Sequence, residues 1–277
     1  MKDFTDKVAA ITGASSGIGR SLACELARRG CHLALCDVNE TGLQETAAQA
    51  KALGVRVTSQ KVDVADRDAV YAWADQVVND HGKVNLVFNN AGVGLASSID
   101  GMSYEDFEWL MNINFWGVVY GTKAFLPHLK STGEGHIVNV SSVFGLAGIP
   151  SQAAYNSAKF AVRGFTECLR EELDMMSCGV SATSVHPGGI KTGIARGSRL
   201  RDSMQDLGLS IEGGPESVEK NFITSPDKAA RVIVGAVEKN KRRVLVGPDA
   251  YVYDSLVRLL PSAYQRIAVG FARRAMK

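Results

Sequence analysis

The sequence predicts a doubly wound α/β fold, a parallel sheet of about seven strands with helices on both faces. Short apolar runs alternate with stretches of helical periodicity along most of the chain. Those runs are apolar at nearly every position, as strands covered on both faces must be. The motifs that carry chemistry fall where the runs end, at the carboxyl edge of the sheet, where such folds bind ligands.

In chain order, Val8 to Thr12 is a strand, Gly13 to Gly19 a glycine-rich turn, and Ser21 to Arg29 a helix stopped by Gly30. His32 to Cys36 is a strand and Thr41 to Leu53 a helix ending at Gly54. Val55 to Val62 reads as strand, Arg67 to Asp80 as helix, and Val84 to Phe88 as a strand running into Asn89-Asn90-Ala91-Gly92. Tyr104 to Leu129 is one long helix, Gly135 to Val140 a strand, Gln152 to Met175 a helix, and Val180 to Val185 a strand. Pro226 to Lys239 is helical and Arg243 to Val246 the last strand. No internal repeat or low-complexity stretch interrupts this order.

A chain of 277 residues, 45% apolar and 22% charged, is an ordinary size and composition for one α/β unit. It buries roughly three quarters of its unfolded surface and needs no disulfide or metal to hold a core. The 31 basic and 29 acidic residues leave a net charge of +2, too balanced for nucleic-acid binding. Cys24, Cys31, Cys36, Cys168 and Cys178 are scattered, without a CxxC pair. They read as small buried hydrophobes in a reducing cytosol, not as a zinc site or disulfide framework. Met1 to Asp6 carries acid and no apolar core, so no signal peptide is expected, and no uncharged apolar run approaches the ~20 residues of a membrane span. The expected location is cytoplasmic, with peripheral contact to a membrane through the C-terminal extension as the alternative.

The first motif is Thr12-Gly13-Ala14-Ser15-Ser16-Gly17-Ile18-Gly19. Glycine is required where the backbone turns sharply and where a phosphate must approach the main chain. A helix opening directly afterwards points its amide N–H groups at the anion. The first two glycines lie farther apart than in GxGxxG, but the setting between strand and helix is the required one. The second motif is Asp37, at the end of the second strand and 18 residues after Gly19. A carboxylate there accepts hydrogen bonds from adenosine ribose hydroxyls and repels a 2′-phosphate. Val38 and Asn39 supply no cation, and Ser16 stands where a basic residue would otherwise help, so NAD is favoured over NADP.

The third motif is Tyr155-Asn156-Ser157-Ala158-Lys159. Residues four apart share a helix face, so Tyr155 and Lys159 can meet one ligand. For tyrosine to act as a base near neutrality its pKa must fall by ~3 units, on the order of 4 kcal/mol. A lysine ammonium and a positive nicotinamide ring are the means. Ser141-Ser142 ends the preceding strand and offers a hydroxyl for the substrate oxygen.

Together, Thr12 to Gly19, Asn89 to Gly92, Asn114, Ser142, Tyr155, Lys159 and Pro187-Gly188 resemble the short-chain dehydrogenase/reductase family, in order and spacing from Lys7 to about Val246. The resemblance implies a Rossmann-type catalytic domain and an NAD-dependent alcohol dehydrogenase or carbonyl reductase. It implies Tyr155 as general acid/base, Lys159 lowering its pKa and holding the nicotinamide ribose, and Ser142 in preference to Ser141 orienting the substrate oxygen. Asn114, in preference to Asn112, would position a water in a proton relay with Lys159. The dinucleotide would lie on Gly13, Ser15, Ser16, Gly17, Ile18 and Gly19. Asp37 and Asn90 would meet its adenosine ribose, Asp63 and Val64 its adenine, and Pro187, Gly188, Ile190 and Thr192 its nicotinamide end. A homodimer or homotetramer through the long helices is implied, and no metal.

The catalytic domain is expected over residues 1–250, with a substrate lid over 193–222, and a C-terminal helical extension over 251–277. Arg196, Arg199 and Arg201 in the lid would suit an anionic substrate or lie free in solvent. Gly94 to Ile99 and Phe144 to Ile149 would wall the substrate, and Val93, Leu95, Val143, Phe144, Leu146 and Ile149 favour a hydrophobic secondary alcohol or ketone. In the extension Val252, Leu256, Leu259 and Leu260, then after Pro261 Ile267 and Phe271, form an apolar stripe beside Arg266, Arg273, Arg274 and Lys277. Such a stripe packs on protein, covers the cleft or lies on a membrane surface. The alternatives in function are a non-catalytic NAD-binding sensor or scaffold, an NADP-dependent reductase of a similar carbonyl substrate, and an epimerase or dehydratase, for which the chain is short.

Overall fold

The computed structural model describes residues 1–194, 197–209 and 222–274. Seven parallel strands form one sheet in the order β3-β2-β1-β4-β6-β7-β9. They are β1 (Val8–Thr12), β2 (His32–Asp37), β3 (Val57–Lys61), β4 (Leu86–Asn89), β6 (Gly135–Val140), β7 (Val180–Pro187) and β9 (Arg243–Val246). The chain runs outward from β1 to β3, then returns to β4 on the other side of β1. The β1–β4 junction is therefore the switch point at which a doubly wound sheet opens a crevice.

Alternation along each strand feeds two cores. Ala9, Ile11, Leu33, Leu35, Leu86 and Phe88 pack with Leu22, Leu26, Leu43 and Ile233, which come from α1 (Gly17–Arg28), α2 (Glu40–Lys51) and α7 (Pro226–Glu238). Val8, Ala10, Ala34, Val87 and Ile137 pack on the opposite face with Trp73, Val77, Phe125, Leu129 and Leu169, from α3 (Arg67–His81), α5 (Gly117–Ser131) and α6 (Ala153–Met176). Both faces of the sheet are thus closed over its central strands, while the edge strand β3, Val57-Thr58-Ser59-Gln60-Lys61, is polar and partly exposed. Asp66, Ser103 and Ser225 cap α3, α4 (Tyr104–Met111) and α7 with their side chains.

The single helix expected over Tyr104–Leu129 is three pieces: α4, a π turn at Asn112–Trp116, and α5. Hydrophobic periodicity does not register one extra residue per turn, and the π turn carries Asn114 into the interior. Two strands of two residues each, β5 (Leu95–Ala96) and β8 (Arg199–Leu200), pair in parallel outside the main sheet. Both are too short to leave a period. The C-terminal stripe folds as α8 (Pro248–Leu259) and α9 (Tyr264–Arg274). Tyr264 is buried against the body, while Tyr251, Val252 and Leu259 face outward. No helix among the described residues is long and apolar enough to cross a membrane. All five cysteines are free; Cys31 and Cys36 are buried as expected, whereas Cys168 is exposed. The reason is its place on the outer side of α6, where its thiol lies by Glu172.

Candidate active site

Thr12 ends β1 and Asn89 ends β4, so the glycine turn and the Asn90–Gly92 segment flank the crevice from its two sides. Thr12 Oγ1 binds them together, accepting from the N–H of Asn90 and of Ala91 at 3.0 Å each. Asn90 Nδ2 donates to the carbonyls of Thr12 and Gly13. Gly13 and Gly17 have φ of 66° and 54°, which only glycine adopts without strain. At Gly19 a side chain would strike the Gly13 carbonyl and Asn90. Unlike α3, α4 and α7, α1 has no side-chain cap on its N-cap residue Ser16 and no acid in its first turn. Its first N–H groups, at Gly17, Ile18 and Gly19, are free to meet an anion.

Asp37 closes β2 with its carboxylate held from two sides, by Ser15 N at 2.9 Å and by Asn39 N at 2.9 Å. The nearby Arg20 is committed to the Ser15 and Gly42 carbonyls and to Glu45. Asp63 is exposed and turns onto Ala65 N. Val64 is buried against Gly117, where a side chain would collide with it. Opposite these residues, Pro187 ends β7 and the chain continues through Gly188 and Ile190, which is buried, to Thr192. The Thr192 methyl group packs on Gly17, so the two loops meet across the crevice.

Tyr155 and Lys159 lie on the inward side of the first turns of α6. Lys159 Nζ donates to the Val140 carbonyl at 2.9 Å and sits 5.6 Å from the centre of the Tyr155 ring. Ser141 and Ser142 part company here. Ser141 Oγ turns to the Lys159 carbonyl at 2.7 Å, whereas Ser142 lies on the Tyr155 side, close enough to pull its pKa down. Ser142 Oγ also accepts from Phe144 N, and its own carbonyl meets Nδ1 of the buried His186. Asn114 pairs its amide with Val93, accepting from N and donating to O at 2.8 Å each. It and Lys159 Nζ both border Gly92. Tyr155, Lys159, Ser142 and Asn114 are therefore brought together, with the glycine turn across the crevice.

Burial pushes Tyr155 up to about 12 against the opposing pull of Ser142, and brings Lys159 down to about 8. The expectation was that Lys159 lowers Tyr155. In the protein alone, desolvation of the phenolate is the larger effect and Lys159 does not offset it.

The walls divide. Leu95, Val143 and Leu146 are buried core, while Val93, Phe144 and Ile149 keep part of their surface open. Phe144 stands edge-on to Tyr155, with ring centres 6.0 Å apart, and to Tyr253 of α8 at 6.5 Å. Arg199 and Arg201 are neither open to an anion nor loose in solvent. Both bind Asp106, and Arg199 also covers the Trp109 ring. Arg196 lies outside the described residues, as does 210–221 of the expected lid.

Three groups escaped the sequence reading. Thr12 lies within the glycine motif, but its hydroxyl's reach to β4 is a property of the sheet. Asn156 donates to the Phe144 and Ala147 carbonyls and accepts from Ile149 N, fixing the wall beside Tyr155. Asp249 accepts from Gly189 N across 60 residues of sequence. Nothing local distinguishes either side chain from an ordinary polar residue.

A family model described as short chain dehydrogenase matches residues 7–202, a stretch that contains this constellation, including the loop after β7 but not Tyr253 or Asp249 of α8. The chain belongs to the short-chain dehydrogenase family. As such it is an oxidoreductase with a dinucleotide-binding fold. SadH of Mycobacterium tuberculosis is 48% identical to it over 99% of this chain and 98% of its own length. Estradiol 17-beta-dehydrogenase 11 of Homo sapiens is 31% identical over 98% of this chain and 86% of that one. A short-chain dehydrogenase from Burkholderia phymatum, solved in complex with NAD, superposes with a TM-score of 0.84 at 32% identity, covering 96% of each chain.

Proposed function

We propose that this short-chain dehydrogenase is an NAD-dependent oxidoreductase of hydrophobic secondary alcohols and ketones, with Tyr155 as its general acid/base. The observation that carries the reading is the meeting of Tyr155, Lys159 and Ser142 at the carboxyl edge of the sheet, on the same crevice as an uncapped α1. The crevice suits a dinucleotide. The glycine turn leaves room for a pyrophosphate, and the N–H groups of α1 would hold it. Asp37, with Arg20 already engaged, would hold an unphosphorylated ribose, which favours NAD over NADP. Bound, the nicotinamide supplies the hydride acceptor or donor and a positive charge in its oxidised form.

The chain's own residues do the proton chemistry. Ser142 Oγ and Tyr155 Oη would form two sides of a seat for the substrate oxygen. Tyr155 takes the hydroxyl proton in oxidation and returns it to the carbonyl in reduction. Lys159 would add its charge to that of a bound oxidised nicotinamide in steadying the phenolate, and would hold the nicotinamide ribose. Asn114 holds Val93 with one N–H and one lone pair of its amide, and a water in the relay would meet what remains of that amide or the main chain of the π turn. Val93, Phe144, Ile149 and Tyr253 would present an apolar surface to the carbon skeleton, and estradiol 17-beta-dehydrogenase 11 is named for a substrate of that character.

The test is a spectrophotometric screen of NAD against hydrophobic secondary alcohols, with Y155F beside the native protein. The native protein should produce NADH. Y155F should lose turnover by at least a thousandfold and bind NADH within about twofold of normal. Tight binding without turnover by the native protein across a broad panel would establish a sensor or scaffold in its place, and near-normal turnover by Y155F would remove the role given to Tyr155.

A further inference from the structure

The loop after β7 is fastened by an element outside the matched family region. Gly188 N donates to the Val246 carbonyl, and Lys191 N to that of Thr224. Between them Gly189 N donates to Asp249 Oδ2 at 2.5 Å. Asp249 is the second residue of α8 and belongs to its first turn. Its carboxylate also fills the space in front of Gly188, where any side chain would overlap it, while the Phe222 ring covers Gly189. Its other oxygen, Oδ1, is buried beside Gly247 close to Thr224 Oγ1. One turn along the same helix, Tyr253 packs on Phe144 beside Tyr155. A single helix thus grips the two walls of the catalytic end of the crevice.

We infer that Asp249 is a positioning residue that sets the 187–192 loop for the nicotinamide end of the dinucleotide. The inference rests on the NAD reading above and deepens it. A carboxylate in the first turn of a helix is favourable in itself, so a purely structural role has to be told apart. The geometry does so. Asp249 touches the loop at the nicotinamide end and none of Asp37, Asp63 or Asn90, which would hold the adenosine end. A loop set wrongly would therefore weaken the whole dinucleotide and spare a ligand that lacks nicotinamide.

The experiment compares the Kd of NADH with that of ADP-ribose, by calorimetry, for native protein, D249A and D249N. D249A should bind NADH about tenfold more weakly, as expected for loss of one charge-assisted hydrogen bond, and ADP-ribose within twofold of normal. D249N keeps an oxygen that accepts from Gly189 N and should recover most of the NADH affinity. If D249A fails to fold, D249S, too short to reach the loop, takes its place with the same expected ratio. Equal weakening of both ligands, unchanged NADH binding, or no recovery in D249N would overturn the inference while leaving the NAD reading intact. Native protein that binds neither ligand would remove the NAD reading and this inference with it.

Discussion

Lys159 is a buried amine whose ordinary pKa near 10.5 has come down to about 8, and that shift has a sign that can be measured. Below pH 8 the folded and unfolded chains both carry the proton, and the folded state bears the full cost of burying an ammonium. Between pH 8 and about 10 the folded chain has released the proton while the unfolded one still holds it. The unfolded state then binds more protons, and stability rises with pH by up to ~1.4 kcal/mol per unit. Tyr155 acts oppositely at higher pH. Its folded pKa of about 12 keeps the phenol protonated where the unfolded phenol, near 10, ionises. Stability from this group declines from about pH 10 upward. Urea denaturation of the ligand-free protein at pH 8, 9 and 10 should therefore show a rising contribution that K159M lacks. Parallel pH profiles for the two proteins would mean that Lys159 is not held in a desolvating site.

At the scale of elements, the strand β8 is tied to the body by more than its two residues of pairing. Asp106 of α4, its side chain 5% exposed, takes both Arg199 and Arg201, whose side chains are 42% and 46% exposed. A buried carboxylate gains from two such partners, and they hold its pKa below the ordinary value. D106N would keep the shape and lose the charge. It should leave α4 folded, loosen β8 from β5, and raise the KM for a hydrophobic alcohol by about fivefold while kcat changes less than twofold. An unchanged KM would show that the tie does not shape substrate access. This pairing also shows what sequence reveals and what it does not. The strands were legible because most carry an apolar run, as in β1, β2 and β4, and β1, β6 and β9 begin and end at the residues expected. The arginines were visible as charges, but their partner stands more than 90 residues away, and no local pattern joins Arg201 to Asp106. The π turn at Asn114 and the pair β5–β8 were hidden for a related reason: their hydrogen bonds are set by neighbouring elements and leave no period in the chain.

On the scale of the whole molecule, the candidate site was legible in its residue types and hidden in its wiring. Tyr155, Lys159, Ser142 and Asn114 could be named because spacing and resemblance agree. That Asn114 holds Val93, that Ser141 faces the main chain, and that Asp249 reaches the crevice all follow from packing. The outer surface repeats the lesson. Trp116 at the end of the π turn and Phe160 on α6 are 43% and 41% exposed, and Trp116 stacks on Tyr120 of α5. Gly164, one turn beyond Phe160, leaves open space where a side chain would stand. Large aromatic side chains around a small residue on adjacent helices make a face on which the same helices of a second copy can pack closely, with two-fold symmetry making each contact twice. The expected assembly is a homodimer or homotetramer through α5 and α6. Sedimentation velocity should find the native protein larger than the 29.6 kDa of one chain, and W116E combined with F160E should return it to one chain with its far-ultraviolet spectrum unchanged. Because Tyr155 and Lys159 lie on the inward side of the same α6, the dissociated variant should also lose thermal stability at the site before it loses secondary structure, read as weaker protection of the catalytic turn in hydrogen exchange. A native protein that sediments as one chain, or a double variant that remains assembled, would place the contact elsewhere.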